Sequence, residues 1–120
     1  MFKVVINPHW EITQNADTPL DTAVLLNLLM SIQKTGSISK AARLVDLSYR
    51  YSWGLLREAE KLFGTALLNT DRGRGTTLTP LAEKLIWADR RIRARLSPTL
   101  ESLASCLLYT SDAADDLLCV

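Results

Sequence analysis

The stretch from Gly36 to Gly64 constrains this chain most. It reads as two helices joined by a tight turn. Ser37 is a good N-cap for the first, because its hydroxyl can accept from an unpaired backbone N–H of the opening turn. Ile38, Ala41, Ala42 and Val45 follow at helical spacing and are expected to bury one face. Asp46-Leu47-Ser48 interrupts that spacing; Leu47 can plug the angle between the helices and Ser48 can cap the second. In the second helix Ser52, Leu56, Ala59 and Phe63 form one stripe, while the other face shows Tyr49, Arg50, Trp53, Gly54 and Arg57. Gly64 is placed to end the helix in the left-handed conformation that favours glycine.

A short helix, a three-residue turn and a longer helix with a basic, aromatic outer face make a helix-turn-helix pattern. The flanking segments suit it. Val4, Val5 and Ile6 are a β-branched cluster, and Trp10 and Ile12 alternate with polar neighbours, predicting a short strand near residues 10–13. Thr18-Pro19-Leu20-Asp21 predicts a helix start, with Thr18 as cap, Pro19 first in the helix and Asp21 closing a capping box. Leu25, Leu28, Leu29 and Ile32 then mark a wide apolar face, ending near Lys34 with Thr35-Gly36 as the stop. After Gly64, residues 65–70 and 76–78 read as two strands around the turn Asp71-Arg72-Gly73-Arg74-Gly75. Such a hairpin behind a helix-turn-helix is a wing. Arg72 and Arg74 at its tip can reach phosphates or a narrow minor groove, or can simply be solvated.

Thr79-Pro80 starts a last helix by the same cap-and-proline logic. Leu81, Leu85, Ile92, Leu96, Leu100 and Leu103 lie near one face, with Trp87 and Ala88 adding bulk. Pro98 either kinks this helix, or Ser97 ends one helix and caps the next. The leucine face suits pairing with the same helix of a second chain, and its first turns also suit packing on their own domain. Arg90, Arg91, Arg93 and Arg95 form a basic patch, either phosphate-contacting or a solvated face. Residues 106–116 do not continue the helical pattern cleanly and resemble the translation of a transposon sequencing adapter. The native sequence is therefore expected to stop near Ser105, leaving a truncated product with residues 106–120 as a non-native tail.

Charge is unevenly spread. The net charge is +1, yet residues 37–97 carry twelve Lys/Arg against six Asp/Glu. A basic middle segment is what a polyanion binder needs. No carboxylate pair, nucleophile–base set or metal-ligand cluster stands out, and the single histidine, His9, is isolated beside Pro8, so an enzyme is not expected. No cofactor or metal is implied. Cys106 and Cys119 read as free thiols. No apolar run approaches the ~20 residues of a membrane span, and no basic flank precedes an apolar core at the amino terminus. The expected location is cytoplasmic.

Residues 20–96 resemble the amino-terminal winged helix-turn-helix of LysR-type and ModE-type bacterial transcription regulators. The resemblance is carried by Thr-Gly-Ser-Ile-Ser-Lys-Ala-Ala-Arg-Leu at 35–44, Leu-Ser-Tyr-Arg-Tyr-Ser-Trp at 47–53, Leu-Phe-Gly-Thr-Ala-Leu at 62–67 and Arg-Gly-Arg-Gly-Thr-Thr-Leu-Thr-Pro-Leu-Ala-Glu at 72–83. The Ser-Tyr-Arg-x-x-Trp run and the Gly-Arg-Gly turn lean toward the ModE side. Gly54 and the bulky Tyr51 depart from the pattern.

The expected fold is mainly α with a small β-hairpin: a winged helix-turn-helix over residues 1–96 with a carboxyl-terminal linker and dimerisation helix, whose end is 97–105. The resemblance implies sequence-specific binding of double-stranded DNA, as a homodimer through the 80–103 helix. It implies an effector domain as well, oxyanion-binding on the ModE side, for which the remaining residues leave no room. The DNA-binding candidates are Ser37, Ser48, Tyr49, Arg50, Trp53, Arg57, Arg72 and Arg74. Trp53 is either half-buried under the first helix or stacked along the groove. Gly54 either lets the backbone approach DNA or answers a packing need. The alternative is a winged helix used for protein docking or dimerisation without DNA.

Overall fold

A 14-residue helix, α1 (Thr22–Thr35), sits at the centre of the main packing unit. Leu25, Leu28, Leu29 and Ile32 recur along it and are completely buried, as their spacing predicts. Each such side chain contributes about 1.5–3 kcal/mol over leaving it exposed. The computed structural model describes residues 2–14, 19–71 and 73–109.

The start of α1 differs from the expectation. Leu20–Asp21 forms a strand (β2) paired antiparallel with Glu11–Ile12 (β1), in the register Glu11 to Asp21 and Ile12 to Leu20. Asp21 is the N-cap, its Oδ1 accepting from Ala23 N at 3.0 Å and Val24 N at 3.4 Å. The helix thus begins at Thr22 rather than Pro19, because pairing with β1 holds Leu20 and Asp21 extended. Thr22 Oγ1 donates to the Trp10 carbonyl, fastening the ribbon to the helix. Thr18 lies outside the described residues.

The helical pair follows the sequence closely. Helix α2 (Ile38–Leu44) is capped by Ser37, which accepts from Lys40 N at 3.3 Å. Helix α3 (Tyr49–Phe63) is capped by Ser48, which accepts from Tyr51 N at 3.0 Å. Ile38, Ala41 and Ala42 of α2 and Ser52, Leu55, Leu56 and Ala59 of α3 are buried. Both helices pack on α1 and on each other. The stretch 65–70 yields a shorter strand than expected: β3 is Leu68–Asp71, pairing antiparallel with β4 (Gly75–Leu78). Leu67, just before β3, is fully buried and anchors the hairpin in the core.

Helix α4 runs from Pro80 to Tyr109 with Pro98 inside it. It is one helix at Pro98, so Ser97 caps no second one, and it continues past Ser105. Its deepest core residues are Ala82 and Ile86, with Leu81 and Leu85 only partly buried. Trp87, expected to add bulk to the apolar face, is 56% exposed. By contacts the chain forms two units. His9–Ala88 holds the three-helix and hairpin core just described. In the other, which joins the amino-terminal stretch to the chain from Asp89 onward, Val4 and Ile6 line a shallow pocket with Leu100, Ala104 and Leu108. The carboxylate of Asp89, a largely buried residue, accepts from Arg93 Nε at 2.9 Å.

Candidate nucleic-acid interface

The burial of α3 divides it lengthwise. Its inner stripe fills the core, and Tyr49, Arg50, Trp53, Gly54 and Arg57 line one groove on its outer side. Tyr49, Arg50, Gly54 and Arg57 are exposed, and Trp53 is partly buried against the core while it also lines the groove, so the ring has a part of each expected placement. The Tyr49 and Trp53 rings meet edge to face, with centroids 6.2 Å apart and planes at 81°. The Arg57 guanidinium lies 5.9 Å from the Trp53 ring centroid, within cation–π range. Trp53 is therefore fixed from below by the core and holds a side chain on either flank along the helix.

The remaining candidates lie elsewhere in this unit. Ser48, at the amino end of α3, spends its carbonyl on Ser52 N and Ser52 Oγ, at 3.0 and 2.9 Å. Ser37 is partly buried at the start of α2, and its N–H donates to Thr35 Oγ1 at 3.3 Å. Arg74 is exposed in the hairpin turn; Arg72 lies outside the described residues. His9 is exposed, with Nε2 3.5 Å from Glu11 Oε1. Among the described residues no group of three His, Cys, Asp or Glu side chains is placed to hold a metal ion, Cys106 is a free thiol, and no helix is long and apolar enough to cross a membrane.

Three ties join these elements; the sequence pattern located the turn at Asp46-Leu47-Ser48 but neither of the other two. Asp46 adopts φ 57° in the turn between α2 and α3, where Leu47 N donates to Ala42 O at 2.8 Å. The signal was present, since Asp and Asn enter this left-handed region more readily than other side chains. Glu60 Oε1 accepts from Leu67 N at 3.1 Å, joining the end of α3 to the root of the hairpin. Thr76 N donates to Gly36 O at 2.9 Å, joining β4 to the end of α1. The second spans only seven residues but falls across the end of a helix, and the third joins residues far apart in the chain, so neither follows from helix or strand spacing.

Three helices, a capped recognition-type α3 and a two-stranded wing tied back to α1 define a winged helix-turn-helix. Residues 24–83 match the bacterial regulatory helix-turn-helix proteins of the lysR family, and the chain belongs to that family. The family is one of regulators rather than enzymes. Over 84 residues the chain is 40% identical to the molybdenum-pterin-binding protein MopB of Rhodobacter capsulatus, covering 67% of this chain and 31% of that protein. Over 72 residues it is 40% identical to the molybdenum transport protein ModE of Herbaspirillum seropedicae, covering 57% of this chain and 27% of that one. The full-length LTTR LysG of Corynebacterium glutamicum shares the fold, with a TM-score of 0.58 and 23% identity over 73% of this chain and 30% of that structure. The chain spans about a third of the length of the curated relatives it matches.

Proposed function

We propose that this chain is the module of a transcription regulator that binds double-stranded DNA sequence-specifically, and that the regulator's effector-binding part is absent from these residues. The carrying observation is the outer face of α3, where two arginines and two aromatic rings line one exposed groove on a helix whose other side is locked in the core. A 15-residue helix is about 22 Å long, enough to lie across a major groove roughly 12 Å wide.

The mechanism follows from the placement. Helix α3 enters the major groove amino end first. The unpaired N–H groups of its first turn, with Ser48, hold a phosphate, since that end carries partial positive charge. Arg50 and Arg57 take guanine edges or phosphates, and a bidentate arginine–guanine contact supplies about 1–3 kcal/mol of discrimination. Tyr49 donates its hydroxyl to phosphate or base. Ser37 at the start of α2, and Arg72 and Arg74 on the wing, contact the backbone alongside. A second copy joined through the 80–103 helix places a second α3 on a half-site about 34–36 Å away, or a multiple of that. Exposed Leu96 and Leu103 support the pairing. The molybdenum-named relatives suggest an oxyanion as the effector of the intact regulator.

The test is selection of duplexes from a random pool by the purified chain at two salt concentrations. An enriched inverted repeat whose binding weakens with salt is the expected result. No binding at low salt would sink the reading and favour the protein-docking alternative.

A further inference from the structure

Gly54 is out of place by the rules of helix stability. A glycine inside a helix is less stable than alanine there, and two intramolecular reasons ordinarily retain one. Neither applies. Its backbone is not among the positive-φ glycines, so any L-residue fits its conformation. A Cβ built on it meets no described heavy atom within 4 Å, so no neighbouring element needs the room. The notch lies open to solvent on the outer face of α3.

Its surroundings give it a chemistry. Arg50, Gly54 and Arg57 fall at i, i+4 and i+7 on one stripe, so a donor-rich guanidinium stands one turn to either side. The Trp53 ring lines the same groove and is held in place by the core beneath it. Gly54's own N–H belongs to the helical ladder, being past the first turn of α3. With no Cβ, the helix surface at Gly54 is open and presents Cα hydrogens beside the Trp53 ring, between the helix positions of two arginines. That surface is apolar and flanked by cationic residues. In the major groove the one apolar group that projects from a base pair is the C5-methyl of thymine.

We infer that the Gly54 notch is a specificity-determining contact that seats a thymine methyl while Arg50 and Arg57 engage polar groups on either side. This rests on the DNA-binding reading above. The missing Cβ lets the base edge approach the helix backbone, and the flanking arginines fix where along the groove that approach occurs.

The experiment uses the full chain, its G54A variant, and the duplex most enriched by the wild-type chain, with deoxyuridine replacing each thymine in turn. G54A is expected to melt higher, by roughly 3–8 °C, and to bind the all-thymine duplex at least about tenfold more weakly. At one thymine position uracil should weaken the wild-type chain yet bring G54A to within about threefold of wild type on that same duplex, because removing the base methyl makes room for the alanine methyl. Unchanged affinity of G54A would overturn the inference while leaving DNA binding intact. A G54A penalty that no uracil relieves would overturn the methyl assignment. Failure of the wild-type chain to enrich any duplex would remove the DNA-binding reading itself, and this inference with it.

Discussion

At the scale of single residues, two glycines of this fold have opposite reasons to be there. Gly75 has a structural one: its φ is +76°, and a Cβ would stand 2.8 Å from the Gly36 carbonyl oxygen. That oxygen is the acceptor that ties β4 to the end of α1, so the neighbour cannot shift without loosening the wing. Gly75→Ala should therefore lower unfolding stability by about 1–3 kcal/mol, measured by urea denaturation; a variant as stable as wild type would mean the hairpin is not docked on Gly36. Gly54 has no such constraint, and its substitution should move stability the other way. The arginines differ in a similar manner. Arg57 is steadied by the Trp53 face, whereas no described aromatic ring carries Arg50. Arg50→Ala should cost about 1–3 kcal/mol at one guanine position and little at others, read as a flattened preference at that position in the selected sites. Uniform weakening at every position would assign Arg50 to phosphate instead.

At the scale of elements, the joints matter more than the elements. Glu60 accepts from the N–H of Leu67, whose side chain is fully buried. Removing the carboxylate strands a backbone donor beside the core, so Glu60→Ala should cost about 1–3 kcal/mol. It should also raise amide hydrogen exchange at Leu67 more than at Leu56, where exchange rises only as far as the loss of global stability dictates; equal protection at Leu67 in both proteins would show the tie to be dispensable. These joints also mark where sequence reading reached its limit. Helices α1, α2 and α3 were legible because caps, stops and apolar spacing are local and agree: Ser37, Ser48, Gly36 and Gly64 all stand where the pattern puts them. The membership of the outer face of α3 was legible for the same reason, since burial of Ser52, Leu56 and Ala59 fixes what faces outward. The start of α1 was misread because a two-residue ribbon with Glu11–Ile12, a tertiary contact, outweighed the Thr-Pro start signal. In α4 the spacing of the large leucines marked the apolar face, yet the residues fully in the core are Ala82 and Ile86, with Leu81 and Leu85 only partly buried against it.

At the scale of the whole molecule, charge distribution and surface decide more than net charge. The chain as a whole is nearly neutral, but its basic residues gather between 37 and 97, the segment that holds α2, α3 and the wing. The exposed Leu96 and Leu103 of α4 lie seven residues apart, a heptad step on one helical face. If this face carries the proposed subunit contact, the unaltered chain should sediment as a dimer and Leu96→Glu with Leu103→Glu as a monomer, and the double variant should lose the inverted-repeat preference while keeping half-site binding. A double variant that still sediments as a dimer would place the subunit contact elsewhere.

The arginines of the wing and of α3 then separate by the response to salt. Each phosphate neutralised releases condensed counterions, so log Kobs falls against log salt with a slope of about −0.9 per contact on B-DNA. If Arg72 and Arg74 touch only backbone, Arg72→Ala plus Arg74→Ala should weaken binding to every duplex alike and make that slope shallower by roughly 2. If Arg50 reads a base, Arg50→Ala should leave the slope nearly as it was while flattening preference. Affinity measured across a salt series for both variants, on the enriched duplex and on an unrelated one, distinguishes the roles. A slope unchanged by loss of both wing arginines would mean they are solvated in the complex. The wing would then serve to hold α1, α3 and α4 in register through Gly36, Glu60 and Leu67, and recognition would rest on α3 alone.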